Sequence, residues 1–132
     1  KRRKNEAKEL APRSIRAKHQ AGLPLAIDED CVIINEENCF VIQGGGNTFE
    51  LKKDKVTAIS VAPQFINQVT YNDLGRSSNI NRMGMTFTYQ INNEIKYMSF
   101  WMWYGNSNNI NKANRWSVEI RNRNVNHNRI EI

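Results

Sequence analysis

Between residues 31 and 61 the chain alternates short apolar runs with turn residues so closely that no helix fits between them. Cys31–Asn35, Cys39–Gln43, Thr48–Lys52 and Val56–Ala62 read as strands rich in Val, Ile, Phe and Thr. Asn35-Glu36-Glu37-Asn38 separates the first two, and Gly44-Gly45-Gly46-Asn47 the next two, each with tight-hairpin chemistry. Parallel strands need crossover connections of about a dozen residues or more. An antiparallel meander is therefore required here, and a parallel nucleotide-binding sheet is excluded.

The flanking sequence extends this pattern. Ser14–Gln20 alternates apolar and polar residues as a first strand, and Gly22-Leu23-Pro24-Leu25 reads as a turn. Met85–Ile91 and Ile95–Tyr104 read as a second hairpin around Asn92-Asn93, residues suited to positive φ. Between them, Gln64–Gly84 is polar and long for a connection, so Phe65–Thr70 is expected either to extend a strand or to be mobile. From 107 to 123 the period changes: Ile110, Ala113, Trp116 and Ile120 form one stripe at helical spacing, a core-packing face, with Asn106, Ser107 or Asn108 as N-cap. The organisation expected is a basic arm or short helix at 1–13, a β domain at 14–123 ending in the helix, and a polar tail at 124–132. At 132 residues, 39% of them apolar, one core is affordable.

Charge is concentrated at one end. Residues 1–20 carry eight basic residues against Glu6 and Glu9, and the whole chain has a net charge of +6. The remaining eleven basic and eleven acidic residues cancel. The arm, with Lys1, Arg2, Arg3, Lys4 and Lys8, is a solvated linker, an attachment to anionic lipid, or a nucleic-acid contact. No apolar run approaches the ~20 residues of a membrane span, and no secretory signal is present. The chain starts at Lys1, so a processed fragment is expected, with a membrane helix or second small domain upstream; a cytoplasmic location is expected from its two cysteines, read as reduced. Cys31 and Cys39 read as reduced, strand-packing thiols, since Glu36-Glu37 as a two-residue turn sets Cys31 opposite Ile42 rather than Cys39. His19 and His127 complete no zinc set with them.

These segments together resemble a family of small bacterial pleckstrin-homology-like proteins. The resemblance rests on Gly22-Leu23-Pro24-Leu25, on Gly44-Gly45-Gly46 followed by Thr48-Phe49-Glu50-Leu51, and on Lys55-Val56-Thr57-Ala58-Ile59-Ser60. It continues in Asn93-Glu94-Ile95-Lys96-Tyr97-Met98-Ser99-Phe100 and in Asn111-Lys112-Ala113-Asn114 of the terminal helix. It implies a mainly β fold: a partly open barrel of two near-orthogonal antiparallel sheets, about seven strands in all, capped by one C-terminal helix. It also implies an interaction or self-assembly module. Two positions depart from related domains. The Asn35–Asn38 hairpin offers Glu36 and Glu37 where phosphoinositide-binding relatives carry basic residues, and Tyr71–Gly84 is polar, with Arg76 and Arg82, where members carry a Gly/Ala-rich apolar insertion.

Catalysis is not expected. Gly44-Gly45-Gly46 lacks the Lys-Ser/Thr and helix of a phosphate loop and reads as a turn. Asp28-Glu29-Asp30 lacks calcium-loop spacing. Neither histidine has an orienting acid or nucleophile nearby in sequence. No cofactor, metal or small-molecule substrate is called for. The oddity is Phe100-Trp101-Met102-Trp103-Tyr104, apolar on both faces of a strand. Either one face meets the core and the other lies under the helix stripe through Trp116, or Trp101, Trp103 and Tyr104 stay exposed as a protein-interaction anchor. The expected function is non-catalytic binding of a protein partner or a second copy. The alternatives are anionic membrane and, third, nucleic acid.

Overall fold

The computed structural model describes residues 13–68 and 78–127. Seven strands follow in order: β1 (Ser14–Ala21), β2 (Asp30–Asn35), β3 (Cys39–Gly44), β4 (Asn47–Lys52), β5 (Val56–Gln68), β6 (Ser78–Ile91) and β7 (Glu94–Trp103). A 3-10 turn at Lys53–Lys55 joins β4 to β5, and helix α1 (Ser107–His127) closes the chain. All neighbouring strands are antiparallel, in the order β4-β3-β2-β1-β7-β6-β5. The sheet is open, because β4 and β5 each have a partner on one side only. The two halves expected of a partly open barrel are continuous through β1 and β7. That junction holds three rungs, Lys18 with Trp101, His19 with Phe100 and Ala21 with Ser99, and is bulged between His19 and Ala21.

Turn chemistry sets the register. Gly45 and Gly46 have φ of 56° and 77°, and Asn92 and Asn93 have 52° and 68°, so both hairpins close through two positive-φ residues. The Glu36-Glu37 turn is a correction. Glu36 N–H donates to the Cys39 carbonyl at 2.9 Å, which makes Glu37 and Asn38 the turn residues. The ladder is thereby shifted by two: Asn35 faces Phe40, Ile33 faces Ile42, and Cys31 faces Gly44 instead of Ile42. A shift of two leaves every side chain on its face, so the core is the same in either register. Both thiols are free.

The inward faces meet in one core. Phe40 packs edge-on to Phe87 at 5.2 Å between ring centroids, Phe87 edge-on to Phe100 at 6.0 Å, and Phe40 lies against Trp116 at 5.6 Å. Ile15, Ile33, Ile42 and Met85 fill the space between. Burying one such aromatic contributes about 2–3 kcal/mol. Ala113, Trp116 and Ile120 of α1 are buried in this core and Ile110 packs on its margin. Asn106 is the N-cap: its Oδ1 accepts the Asn109 N–H at 3.3 Å. The helix runs four residues past the expected end at 123, in a stretch without Gly or Pro to stop it.

The polar side chains of α1 bind strand carbonyls. Ser117 Oγ donates to the Ile59 carbonyl at 2.6 Å, and Asn124 Nδ2 to that of Thr57 at 2.7 Å, both on β5. Asn109 Nδ2 donates to the Arg16 carbonyl and Lys112 Nζ to that of Ser14, both on β1. Glu119 receives Lys53 Nζ at 2.7 Å and Asn35 Nδ2 at 3.2 Å, which fastens the helix to the β4 corner. Lys53 is 4% exposed, and its ammonium also lies 5.2 Å from the Phe40 ring centroid.

β5 and β6 are longer than their apolar cores suggest. Their pairing continues to Gln68 with Ser78, four rungs beyond the last β6–β7 rung at Arg82 and Trp103. Pro63 sits inside β5, tolerated because the strand has a partner on one side only.

Candidate functional site

Where β1 meets β7, pairing stops at Lys18 and Trp101. Beyond that rung the strands diverge, and a groove of about 360 Å³ opens between Arg16, Lys18 and Val32 on one side and Trp101 and Trp103 on the other. Directly opposed residues share a face, and so do residues two apart on a strand. Arg16 and Lys18 of β1, Trp101 and Trp103 of β7, and Arg82 of β6 therefore project together from the face opposite the core.

Trp101 and Trp103 have different surroundings. Trp101 is 3% exposed: its Nε1–H donates to Asp28 Oδ1 at 2.7 Å, and the Arg82 guanidinium carbon lies 3.8 Å from its ring centroid. Trp103 stands edge-to-face with Trp101 at 4.9 Å and remains 54% exposed, with Tyr104 beside it at 55%. Of the anchor proposed from sequence, Trp103 and Tyr104 are at the surface, whereas Trp101 is covered and cannot present its ring to a partner. The expectation that this face lies beneath the helix is also corrected. Trp116 packs on Phe40 in the core, and Asp28 and Arg82 cover the outer face instead.

Local chemistry explains the cover. Asp28 takes a left-handed conformation, φ 67°, in the loop between β1 and β2, and its N–H donates to the His19 carbonyl at 2.7 Å. His19, buried from the core side, holds the same loop with its ring. Nε2 accepts the Leu23 N–H at 3.2 Å, which leaves Nδ1 as the donor to the Ala26 carbonyl at 3.1 Å. Across the outer face, Gln20 and Gln64 exchange two amide hydrogen bonds of 2.8 and 3.1 Å. Gln64 lies over Gly84, where any side chain would collide with it.

Charges around the groove are partly paired. Lys18 meets Asp30 at 2.9 Å, whereas Arg82 stands 4.0 Å from Asp28, beyond hydrogen-bonding distance. Among the described residues, Arg82 Nε is buried without an acceptor and Arg16 forms no ion pair. A larger depression of about 450 Å³ lies between β5 and α1. Ser117 and Asn124, whose bonds hold the helix to β5, line it, so it belongs to the helix seam.

The basic residues Lys1, Arg2, Arg3, Lys4 and Lys8 lie outside the described residues, as do Arg76 and residues 128–132. The Asn35–Asn38 hairpin joins the second and third strands. The loop joining the first two, residues 22–29, carries Asp28 and Glu29 and no base. Burial pushes the Cys31 thiol above its ordinary range, assisted by Glu29 and Asp30. Cys39 shifts the same way, by burial first and then by Glu50 and Glu36. Both thiols are thus poor nucleophiles at neutral pH. Sequence reasoning missed Arg16, Arg82 and Asp28. The alternation of β1 carried the signal for Arg16, but Asp28 and Arg82 join the site only through the β1–β7 and β6–β7 pairings.

No protein-family model matches the chain, and no curated protein is detectably similar to it in sequence. The fold is a mainly β, open seven-stranded antiparallel sheet with one C-terminal helix, and no described helix is long and apolar enough to cross a membrane.

Proposed function

We propose that the chain is a pleckstrin-homology-like domain that acts without catalysis, by binding a second copy of itself along the free edge of β4. The observation that carries this reading is the open edge. In a two-residue hairpin the pair flanking the turn, here Gly44 and Asn47, is hydrogen-bonded, and bonded pairs alternate from there. Phe49 and Leu51 then bond to β3, while Thr48, Glu50 and Lys52 turn their backbone groups outward. An edge of this kind is a template for strand addition. An antiparallel two-fold pairing that sets Glu50 against Lys52 of the second copy is charge-complementary in both directions. The role of His19 also supports binding over chemistry, since both of its ring nitrogens hold the loop.

The association is weak, because the edge is short, and light scattering across a dilution series measures it. Glu50→Pro removes an outward N–H without touching a β3 bond, so it abolishes association while the fold persists. Glu50→Lys weakens association, and adding Lys52→Glu restores it. A wild type that stays monomeric at the highest concentration reached would falsify the reading.

A further inference from the structure

We infer that Trp103, Arg16 and Arg82 form a binding site for single-stranded nucleic acid, in which a base stacks on Trp103 and flanking phosphates bind the two arginines. This goes beyond self-association and does not rest on it, since β4 lies three strands away from β1 in the sheet.

The site combines what such a ligand needs, a flat platform and cations on both sides of it. Trp103 is more than half exposed, and its orientation is fixed by edge-to-face contact with the buried Trp101. Arg82 stands directly opposite Trp103 on β6, and Arg16 is on β1 at the far wall of the groove. The strand that carries the tryptophan lies between the strands of the two arginines in the sheet. Both guanidinium groups have donors to give. Arg16 has no carboxylate partner among the described residues, and Arg82, with its Nε buried and a carboxylate no nearer than 4.0 Å, has its terminal nitrogens to offer a phosphate. Stacking on Trp101 holds the Arg82 plane in place before any ligand arrives.

Charge beyond the cluster points to a polyanion. The strand that supplies Arg16 begins at Ser14, directly after the segment that carries Lys1, Arg2, Arg3, Lys4, Lys8 and Arg13 against Glu6 and Glu9. The two carboxylates beside the cluster are already engaged, Asp28 by the Trp101 N–H and Asp30 by Lys18. An acidic protein segment would satisfy the arginines but leave Trp103 nothing flat to stack on. A strand with unpaired bases serves both.

The test is fluorescence anisotropy of a labelled oligothymidylate with the full chain, at about 50 and about 200 mM salt. Wild type binds, and affinity falls with salt at a slope of about −0.7 per phosphate contact. Trp103→Ala weakens binding about tenfold or more at an unchanged slope. Arg16→Ala weakens it and makes the slope shallower by about 0.7. Trp103→Phe retains most of the affinity, and circular dichroism of each variant separates lost binding from lost folding. Three results overturn the proposal. One is no anisotropy change at the lower salt. Another is a Trp103→Ala variant that binds as wild type while alanines at Lys1, Arg2, Arg3 and Lys4 abolish binding, which would leave arm electrostatics alone. The third is equal affinity for a duplex or for polyglutamate of matched charge.

Discussion

The two ends of the sheet are finished differently. At β5 the carbonyls of Thr57 and Ile59 receive Asn124 and Ser117 from α1, so the first residues of that edge lie against a helix. At β4 the same kind of edge receives no hydrogen bond from the helix among the described residues; the helix is tied at the adjacent corner, through Lys53 and Glu119, and Arg123 lines a depression beside Glu50 and Lys52. The hydrogen bonds that α1 makes to strand carbonyls fall on β1 and β5, and among the described residues none falls on β4. Its stripe of Ala113, Trp116 and Ile120 is anchored in the core, which fixes which edge its polar flank reaches. An edge left unsealed in this way is a place where a fold acquires a partner, whereas a sealed one contributes to stability.

Breaking the seal at its anchor has the largest effect. Trp116→Ala opens a cavity beside Phe40 and costs about 3–5 kcal/mol by urea denaturation. It also loosens α1 from β5, so association measured by light scattering rises. Next comes the corner. Glu119→Ala strands the buried Lys53 ammonium and costs about 2–3 kcal/mol, reduced from a fully buried pair because Glu119 is partly wet. Lys53→Met removes the charge with the need for a partner, stays within about 1 kcal/mol of wild type, and rescues Glu119→Ala. Smaller still is the seal itself. Ser117→Ala and Asn124→Ala cost about 1 kcal/mol each. Together they expose a second edge, so association increases in the double variant and does not disappear when Glu50→Pro is added. If Glu50→Pro alone silences every variant, the β5 edge has no capacity for pairing and the contrast between the two ends is not about sealing.

The smallest effect is in pH. The Cys31 thiol titrates above its ordinary value of 9.0 in the folded chain, because of burial first and then Glu29 and Asp30. The unfolded thiol therefore ionises first. The contribution to stability is complete below pH 9.0 and is lost as the pH climbs through the raised value. Denaturation midpoints above pH 9.0 fall less steeply in Cys31→Ala than in wild type, and an equal slope would remove Cys31 from the account.

The elements of this fold are legible where one face is apolar and the other wet. Alternation located β1 through β4 and β7 to within a residue or two, and the 3.6-residue stripe located α1. The β2–β3 register was not legible, because a slip of two keeps Ile33 and Ile42 on the core face and only the Glu36–Cys39 hydrogen bond decides it. The outer halves of β5 and β6 carry Gln, Asn and Ser without alternation, and their pairing with each other is their only signature. The Trp101–Trp103 stretch stood out by composition, but the different fates of the two rings did not. The cover over Trp101 comes from Asp28 and Arg82, placed there by a left-handed turn residue and by a rung across β6.

The helix seal also constrains how this sequence can vary. Ser14, Arg16, Thr57 and Ile59 all accept their bonds on backbone carbonyls, which any residue type supplies, so those positions can drift without unsealing a strand. The donors on Asn109, Lys112, Ser117 and Asn124 have no such latitude. Moving any of them by one place turns it about 100° around the helix and away from its carbonyl. The helix is therefore cut like a key: the strands are the lock's plain wall, and an insertion or deletion is tolerated anywhere in α1 only after Asn124, its last tooth.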